Sequence, residues 1–353
     1  MAALDPGFWR GKRVLLTGHT GFKGGWAAIW LARMGADVTG LALAPDQEPS
    51  LFDLAGVEGL VRSTICDLRD AQAVEQTLAG QDFDLVLHMA AQPIVRTAIA
   101  DPVATFASNV MGAVHLLQTL RAQTGLKAVL AVTSDKVYAN AETGRAFAEG
   151  DALGGKDPYS ASKAATEIAV ASFAKSYFGP AGVPLATARG GNVIGGGDFS
   201  ADRIVADIVR AARAQQPVVL RHPEATRPWQ HVLDCVAGYL VYLQALATEP
   251  ATPRAMNFGP RPGGRAVSVG ELATLGVEAL GAQSWRHEPD PASLEAQSLA
   301  IDASLARRTL GFESRYDAPR AVALTMDWYR RQADGEAALD LCRDQIAAYE
   351  GGA

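Results

Sequence analysis

Short apolar runs alternate with longer amphipathic stretches along the N-terminal part of the chain. The apolar runs lack the polar alternation of a half-exposed sheet and are typical of parallel strands buried on both faces. They predict strands at 13–17, 38–43, 64–66, 85–91, 128–133 and 185–189. Helices are expected between them at 26–34, 101–123 and 158–178. This order indicates an α/β fold built on a doubly wound parallel sheet, whose ligands sit beyond the carboxyl ends of the strands.

The glycine-rich stretch 190–198 interrupts the alternation and suggests a lobe boundary. Residues 230–232 and an apolar helix through 247 are expected to return to the first lobe. We therefore expect a sheet domain of 1–189, with a return at about 230–260, and a smaller, mainly C-terminal α/β lobe of 190–229 and 261–353. For the smaller lobe the patterns predict helices at 203–214, from 268, at 303–310 and at 318–332, and strands at 218–220 and 285–287. Ser268 and Glu271 have the spacing of a capping box.

Composition adds limits on the partners of this fold. The chain has 353 residues, 48% of them hydrophobic and 20% charged, which is ordinary for a folded globular protein. Its net charge of -6 argues against nucleic-acid or anionic-membrane partners, so an anionic ligand has to be bound by local cations. The three cysteines show no metal or redox spacing, and we expect no metal site. We find no apolar leader and no run of about 18 apolar residues, and we expect a cytoplasmic protein.

A glycine turn joins the first predicted strand to its helix. Gly18, Gly21 and Gly24 lack side chains that would keep the backbone from a pyrophosphate, which the N-terminus of the following helix can bind. The sequence therefore predicts a Rossmann-like dinucleotide site in residues 1–189. The second strand ends without the acidic residue that would hold the ribose of NAD, and without a basic residue for a 2'-phosphate. Lys23 and His19 could touch phosphate or ribose, although Lys23 could equally be solvated.

The stretch Asp157-Pro158-Tyr159-Ser160-Ala161-Ser162-Lys163 carries the second candidate site. Asp157 can cap a helix that Pro158 begins, which places Tyr159 and Lys163 on one face. We expect the ammonium to lower the pKa of the phenol, so that Tyr159 acts as a base near neutral pH. The alternative is an exposed pair without a function.

The glycine turn, the Tyr-x-x-x-Lys pair and Asp67, Ala90 and Ala91 together resemble the extended short-chain dehydrogenase/reductases. Sugar epimerases of that superfamily carry small hydroxyl residues where this chain has Asp135 and Lys136. A 4,6-dehydratase needs one group to take the proton from carbon 5 and another to protonate the departing 6-hydroxyl. Adjacent Asp135 and Lys136, at the carboxyl end of a buried strand, can supply both. The alternative is a surface pair.

Longer motifs narrow the resemblance. The chain is similar to the CDP-glucose 4,6-dehydratases in its residues 8–24, 49–52, 133–138, 188–198 and 227–232. The resemblance implies an NAD-dependent lyase that converts CDP-D-glucose to CDP-4-keto-6-deoxy-D-glucose, for deoxysugar biosynthesis such as that of O-antigen. The alternative is a nucleotide-sugar epimerase or a 4,6-dehydratase for another nucleotide sugar. Ala44 departs from the family pattern, where an acidic residue is expected.

The resemblance also implies roles for single residues. Tyr159 takes the 4-hydroxyl proton, Lys163 tunes it and holds the nicotinamide ribose, and Thr133 or Ser134 binds the sugar hydroxyl. Asp135 is the acid for the 6-hydroxyl and Lys136 the base at carbon 5. The cofactor residues are Gly18, Thr20, Gly21, Phe22, Lys23, Gly24, Asp67, Leu68, Ala90, Ala91, Thr133, Tyr159 and Lys163. The candidates for substrate binding are Gln92, Arg96, Asn192, Arg203, Arg227 and His231. Helices 102–123 and 158–178 are expected to form a homodimer or homotetramer.

Overall fold

The protein is described by a computed structural model over residues 4–261, 267–289 and 299–352. Its strands are β1 (Arg13–Thr17), β2 (Asp37–Ala42), β3 (Arg62–Ile65), β4 (Leu85–His88), β5 (Ala128–Val132), β6 (Leu185–Arg189), β7 (Val193–Ile194), β8 (Val219–Leu220), β9 (Thr226–Arg227), β10 (Gln230–His231), β11 (Ala255–Asn257), β12 (Val267–Ser268) and β13 (Arg286–His287). Its α-helices are α1 (Pro6–Trp9), α2 (Phe22–Arg33), α3 (Leu51–Leu54), α4 (Ala71–Leu78), α5 (Val95–Ala100), α6 (Pro102–Phe106), α7 (Gly112–Leu120), α8 (Pro158–Phe173), α9 (Ile204–Arg213), α10 (Val232–Thr248), α11 (Val269–Ala279), α12 (Ser304–Leu310), α13 (Ala318–Ala333) and α14 (Ala338–Gly351).

Seven parallel strands form the central sheet in the order β11-β6-β5-β4-β1-β2-β3. The strand order reverses between β1 and β4, which creates the crevice where ligands of doubly wound sheets bind. This confirms the predicted fold class. The predicted strand 85–91 is too long, because the chain leaves the sheet after His88. The backbone N-H groups of Met89 and Ala90 both donate to the Thr17 hydroxyl at 3.1 Å, which turns this segment across the end of β1.

The two faces of the sheet have separate hydrophobic cores. On one face α2 and α10 bury Trp26, Trp30, Tyr239 and Tyr242 against the strands. On the other face α4, α7 and the end of the 158–178 helical segment pack against the sheet. Burial of large apolar side chains on both faces explains why the strands read as continuous apolar runs.

Two of the predicted long helices contain π-helical turns. The expected helix 101–123 consists of α6, a π segment at Ala107–Met111 and α7. Asn109 lies in this π segment, where its amide donates to the Gln92 carbonyl at 3.1 Å and to the Ser162 hydroxyl at 2.8 Å. The expected helix 158–178 is α8 followed by a π segment at Ala174–Phe178. The first π segment therefore ties the loop after β4 to α8.

The chain leaves the sheet after β6 and returns to it with β11. Between these strands lie α9 and the short strands β7, β8, β9 and β10, and α10 packs back against α2 and β5. β11 then pairs in parallel with β6 as an edge strand, with Met256 opposite Ala188. The capping box of Ser268 and Glu271 is formed at the start of α11. Residues 262–266 and 290–298 of the smaller lobe lie outside the described residues.

Helix α14 was not predicted. Its buried residues recur at the spacing of one helical face: Ala338, Leu341, Cys342, Gln345, Ile346 and Tyr349. The helix covers the outside of α2, and its Glu350 carboxylate accepts a hydrogen bond of 2.9 Å from the Trp30 indole. The apolar residues of 338–349 recur at helical spacing in the sequence, and this pattern was sufficient to predict the helix.

A buried ion pair connects α8 to the sheet. Glu167 of α8 and Arg189 of β6 are joined by hydrogen bonds of 2.7 and 3.0 Å, and their side chains are only 4% and 5% exposed. The same carboxylate accepts hydrogen bonds from Thr133 at 2.5 Å and from Thr187 at 2.8 Å. The guanidinium also donates to the Tyr138 hydroxyl at 3.0 Å. Because both charges are fully engaged, the pair fixes α8 relative to the ends of β5 and β6.

We expect Glu167→Gln to destabilise the fold by about 3–5 kcal/mol, because it leaves the Arg189 charge buried without its partner. Urea unfolding measures this loss. Glu336→Gln is the control, since Glu336 pairs with Arg331 on the surface and its loss should leave the unfolding midpoint nearly unchanged. Equal midpoints for the two variants would contradict the role of the buried pair.

Candidate active site

The glycine turn is held in contact with the loop after β4. Gly18 has φ +79°, and a Cβ on it would lie 2.8 Å from the backbone nitrogen of Ala90. A Cβ on Gly24 would lie 1.9 Å from the carbonyl oxygen of Gly18, inside any permitted contact. These two positions therefore require glycine, and the turn lies directly on the crevice between β1 and β4.

The N-terminus of α2 has the form of a pyrophosphate site. Gly21 is its N-cap, and no side chain in the described part of the chain caps this helix. Its first N-H groups, at Phe22, Lys23 and Gly24, are therefore available to an anion. The Thr20 hydroxyl is used inside the protein, where it donates to the Leu43 carbonyl at 2.9 Å. The residues of this turn thus fit a dinucleotide, although the side chain of Thr20 serves the turn rather than the ligand.

His19 is structural. Its ring is fully buried, with Nε2 at 2.7 Å from the Ser63 hydroxyl, and it fills the space above Gly40, where a Cβ would lie 2.5 Å from the ring. Burial lowers the pKa of His19 to about 4, so the ring is neutral at physiological pH. The expectation that His19 touches phosphate or ribose is therefore wrong, because its ring is packed between β2 and β3.

Tyr159 and Lys163 lie buried on α8 at the carboxyl end of β5. Asp157 caps the helix through a 3.0 Å hydrogen bond from the Ser160 N-H, and Pro158 occupies the first turn, as predicted. Burial raises the pKa of the Tyr159 phenol, against a hydrogen bond with Ser134 that lowers it. The expected lowering of the Tyr159 pKa by Lys163 is therefore wrong for the protein alone.

Lys163 is directed at the backbone of β5. Its ammonium donates to the Val132 carbonyl at 3.3 Å. Burial, reinforced by the charge of Lys23, lowers the pKa of Lys163 to about 7, while Glu167 acts in the opposite direction. Lys163 therefore titrates near neutral pH, in contrast to an ordinary lysine.

Asp135 has a place built for its carboxylate. The side chain of Asp135 is 1% exposed and accepts hydrogen bonds of 3.0 Å from the Ser134 hydroxyl and 2.8 Å from the Asn192 amide. It fills the space beside Gly191, where an added Cβ would lie 2.1 Å from Oδ1 of Asp135. Asn192 adopts φ +51°, an uncommon conformation for a residue other than glycine. Asn192 therefore orients Asp135, a contact that the sequence did not predict, and Gly191 is a further residue that the site requires.

Lys136 completes this corner of the crevice. Asp135, Lys136 and Val137 form a single turn of 3-10 helix directly after β5, with Ser134 as its N-cap. The Lys136 ammonium lies 5.9 Å from the ring centroid of Tyr159. The structure thus brings Ser134, Asp135, Lys136, Tyr159 and Lys163 together.

Thr133 is directed away from the crevice. Its hydroxyl donates to Glu167, and its N-H donates to the Ala188 carbonyl at 2.8 Å. Neither group is therefore available to a cofactor or a sugar. Of the two alternatives for the sugar hydroxyl, Ser134 is the one whose side chain lies beside Tyr159.

The remaining cofactor candidates line the crevice further from Tyr159. Asp67 and Leu68 follow β3, and Ala90 and Ala91 follow β4. The Asp67 carboxylate is held by Arg69 at 2.6 Å, which lowers the pKa of Asp67. Leu68 is nearly buried. These positions agree with a dinucleotide that extends across the sheet edge from β4 towards β3.

Two arginines predicted for the substrate lie near the loop after β4. Arg203 donates to the Pro93 carbonyl at 3.0 Å, and Arg96 pairs with Asp202 at 3.1 Å. Arg203 is close enough to Tyr159 to act on its pKa, in the lowering direction. Arg221 also approaches Asp202, at 3.5 Å. The loop thus has a cationic rim that the sequence predicted only in part.

Three further residues predicted to bind the substrate, Gln92, His231 and Arg227, form hydrogen bonds within the protein. Gln92 uses its side chain within its own loop, donating to the Thr105 hydroxyl and accepting from the Ile94 N-H. His231 is fully buried, caps α10 through the Leu233 N-H, and packs edge-on against Trp26 and Tyr316. Both side chains are therefore engaged within the protein, and their role as substrate residues stays a prediction. Arg227 lies in β9, where its guanidinium donates to the Thr226 carbonyl at 2.9 Å.

Among the described residues, no group of three or more His, Cys, Asp or Glu side chains could hold a metal ion. Within the same ranges, no helix is long and apolar enough to span a membrane.

The crevice between β1 and β4, with an uncapped helix N-terminus at one end and a buried Tyr-Lys pair at the other, defines a Rossmann-like protein of the extended short-chain dehydrogenase/reductase class. A model described as the NAD dependent epimerase/dehydratase family matches residues 14–259, and the chain belongs to that family.

Two curated relatives extend the likeness over nearly the whole chain. The chain is 41% identical to a CDP-glucose 4,6-dehydratase of Salmonella typhimurium, over 98% of each chain. It is 29% identical to a dTDP-glucose 4,6-dehydratase of Xanthomonas campestris, over 89% of this chain and 92% of that one.

Solved structures share the fold at lower identity. An epimerase from Methanothermobacter thermautotrophicus superposes with a TM-score of 0.80 at 22% identity, over 97% of both chains. A UDP-glucose 4-epimerase from Thermus thermophilus, in complex with NAD, gives 0.77 at 24% identity, over 90% of this chain and 99% of that chain.

We expect Gly24→Ala to weaken NAD binding by roughly tenfold or more, because the added Cβ displaces the Gly18 carbonyl and with it the turn. Isothermal titration with NAD measures the change. Gly59→Ala is the control, since nothing lies within 4 Å of a Cβ there. Unchanged affinity in Gly24→Ala would contradict the assignment of this turn to the cofactor.

We expect Lys163 to make stability rise with pH above 7. The pKa of Lys163 is about 7 in the folded protein and 10.5 as its ordinary value, so the unfolded chain binds more protons between these limits. The free energy of unfolding of the wild type, relative to Lys163→Met, should therefore grow by about 2–4 kcal/mol between pH 7 and 10. Urea unfolding at both pH values tests this, with the exposed Lys175→Met as control. A difference that does not change with pH would refute it.

Proposed function

We propose that this protein is an NAD-dependent lyase that converts CDP-D-glucose to CDP-4-keto-6-deoxy-D-glucose. The observation that carries this proposal is the position of Asp135 and Lys136 on the 3-10 turn just beyond the end of β5, where the Lys136 ammonium lies 5.9 Å from the ring centroid of Tyr159. Hydride transfer alone needs only the Tyr-Lys pair, whereas loss of water needs a second acid and base. The likeness to the Salmonella CDP-glucose 4,6-dehydratase supports this assignment.

Bound NAD would accept the hydride from carbon 4 of the sugar and return that hydride to carbon 6. Gly18, Gly21 and Gly24 with the N-H groups of α2 would hold its pyrophosphate, and Lys163 its nicotinamide ribose. The further cofactor contacts that we propose are Phe22, Lys23, Asp67, Leu68, Ala90 and Ala91. Thr133 is left out of this set because its hydroxyl and its N-H are both used within the protein.

Tyr159 takes the proton of the 4-hydroxyl, and Ser134 holds that hydroxyl beside it. Because burial raises the pKa of Tyr159, the phenolate needs stabilisation that the protein alone does not provide. Lys163, whose own pKa is near 7, and Arg203 are the cations placed to supply it. The base therefore becomes competent in the loaded site rather than in the empty protein.

The 4-ketone acidifies the proton on carbon 5. In our assignment the Lys136 amine removes this proton, and Asp135 donates a proton to the 6-hydroxyl as it leaves as water. Asn192 holds the Asp135 carboxyl in one orientation through its amide. A fixed acid next to a base on the same 3-10 turn can serve neighbouring carbon atoms of one sugar ring.

The substrate diphosphate needs local cations, since the chain is acidic overall. Arg203, Arg96 and Arg227 remain our candidates, with residues 190–229 and 261–353 as the substrate lobe and 1–189 with 230–260 as the cofactor domain. The return of β11 to the sheet supports that division.

A homodimer or homotetramer is proposed from exposed apolar side chains on α6, the first π segment and α8. Val103 is 79% exposed, Met111 44% and Ile168 62%. We also propose a cytoplasmic role in deoxysugar biosynthesis such as that of O-antigen.

We expect incubation with CDP-glucose to give a keto product lighter by one water, with no accumulation of NADH. Tyr159→Phe should lower turnover by roughly a hundredfold or more, because the base is lost. Mass spectrometry and absorbance at the NADH band measure both. Asp135→Asn should block loss of water while leaving the fold intact by circular dichroism.

The same assay separates the alternatives. A product of unchanged mass would indicate an epimerase, and preferred turnover of dTDP-, UDP- or GDP-glucose in a panel would indicate another nucleotide sugar. Steady stoichiometric release of NADH would refute a dehydratase altogether.

A further inference from the structure

Lys23 occupies an unusual place for a lysine. It stands in the first turn of α2, and its side chain extends towards α10, where the ammonium lies 5.9 Å from the ring centroid of Tyr239. That ring is fully buried. Lys23 is therefore not a solvated loop residue, which was one of its two predicted readings.

Two features around Lys23 repel its ammonium. A cation at a helix N-terminus opposes the helix dipole, and a second cation, Lys163, lies near enough for Lys23 to lower its pKa. Across the described ranges, no carboxylate pairs with Lys23. A charge held against two repulsions indicates a ligand or a chemical state that it favours.

Two roles could account for it. The ammonium could bind the pyrophosphate at the start of α2, or it could act on the nicotinamide end of the site. The surroundings of Tyr239 favour the second role. The Tyr239 hydroxyl lies against Gly190, where an added Cβ would be only 2.8 Å from it. The Asp135 carboxylate lies against the next residue, Gly191. Burial raises the pKa of Tyr239, and Asp135 and Tyr159 lie close enough to raise it further. The Lys23 side chain therefore extends past the glycine turn towards these residues.

We propose that Lys23 is an electrostatic determinant of the redox balance of this site, where its charge favours the reduced nicotinamide over the oxidised form. The oxidised ring carries one positive charge and the reduced ring carries none. A fixed cation close to this ring destabilises only the oxidised form, which promotes removal of hydride from the sugar. This inference rests on the proposed use of the site for hydride transfer, but not on the identity of the sugar nucleotide.

The test compares the affinities of NAD and NADH in the absence of any sugar. In Lys23→Met the ratio of the dissociation constant of NAD to that of NADH should fall by roughly five- to thirtyfold, from one unit charge removed at several ångströms. Lys23→Arg keeps the charge, and its ratio should stay within about twofold of the wild type. Isothermal titration and NADH fluorescence measure the two constants.

Lys12→Met is the matched control, because Lys12 also lies over an aromatic ring, at 5.4 Å from Phe8, but before the amino end of β1. An equal loss of affinity for NAD and NADH in Lys23→Met would assign Lys23 to the pyrophosphate and overturn the proposal. An unchanged ratio would overturn it as well. Because these measurements need no substrate, a failure of CDP-glucose to react would leave them interpretable.

Discussion

The ion pair between Glu167 and Arg189 is the constraint on which the geometry of the site depends. Glu167 lies one helical turn beyond Lys163 on α8, and Arg189 is the last residue of β6. The pair therefore fixes the position of α8 relative to the sheet. The same carboxylate removes Thr133 from the crevice and leaves Ser134 as the hydroxyl beside Tyr159. A buried pair of this kind adds little net stability, but it strongly penalises any arrangement in which either charge is unpaired. Its main contribution is therefore the specific orientation of α8, the helix that carries Tyr159 and Lys163.

A second constraint acts from the other side of the crevice. The Asp135 carboxylate fills the volume that a side chain at position 191 would need, and Asn192 accepts a left-handed backbone in order to reach it. The glycine-rich segment after β6 therefore also leaves space for the Asp135 carboxylate. Backbone strain at this point is explained by a contact to a proposed catalytic group.

The sequence predicted the sheet, the glycine turn and the Tyr-Lys helix because each has a local pattern. Continuous apolar runs mark buried parallel strands, and Asp157-Pro158 marks a helix start. It did not separate side chains that bind within the protein from side chains that are open to a ligand. His231 and Gln92 read as ligand residues, yet one caps α10 and the other closes its own loop. The pKa of Tyr159 was also predicted in the wrong direction, because a spacing of four residues carries no information about burial.

The late return of β11 has a consequence for biosynthesis. β6 has its pairing edge open on the ribosome until Ala255–Asn257 has been synthesised, because α9, α10 and several short strands come first. Non-local pairing of this kind is slow, and an open apolar edge can pair with a neighbouring nascent chain. Until β11 is in place, β6 is therefore the edge strand at which a second chain can add.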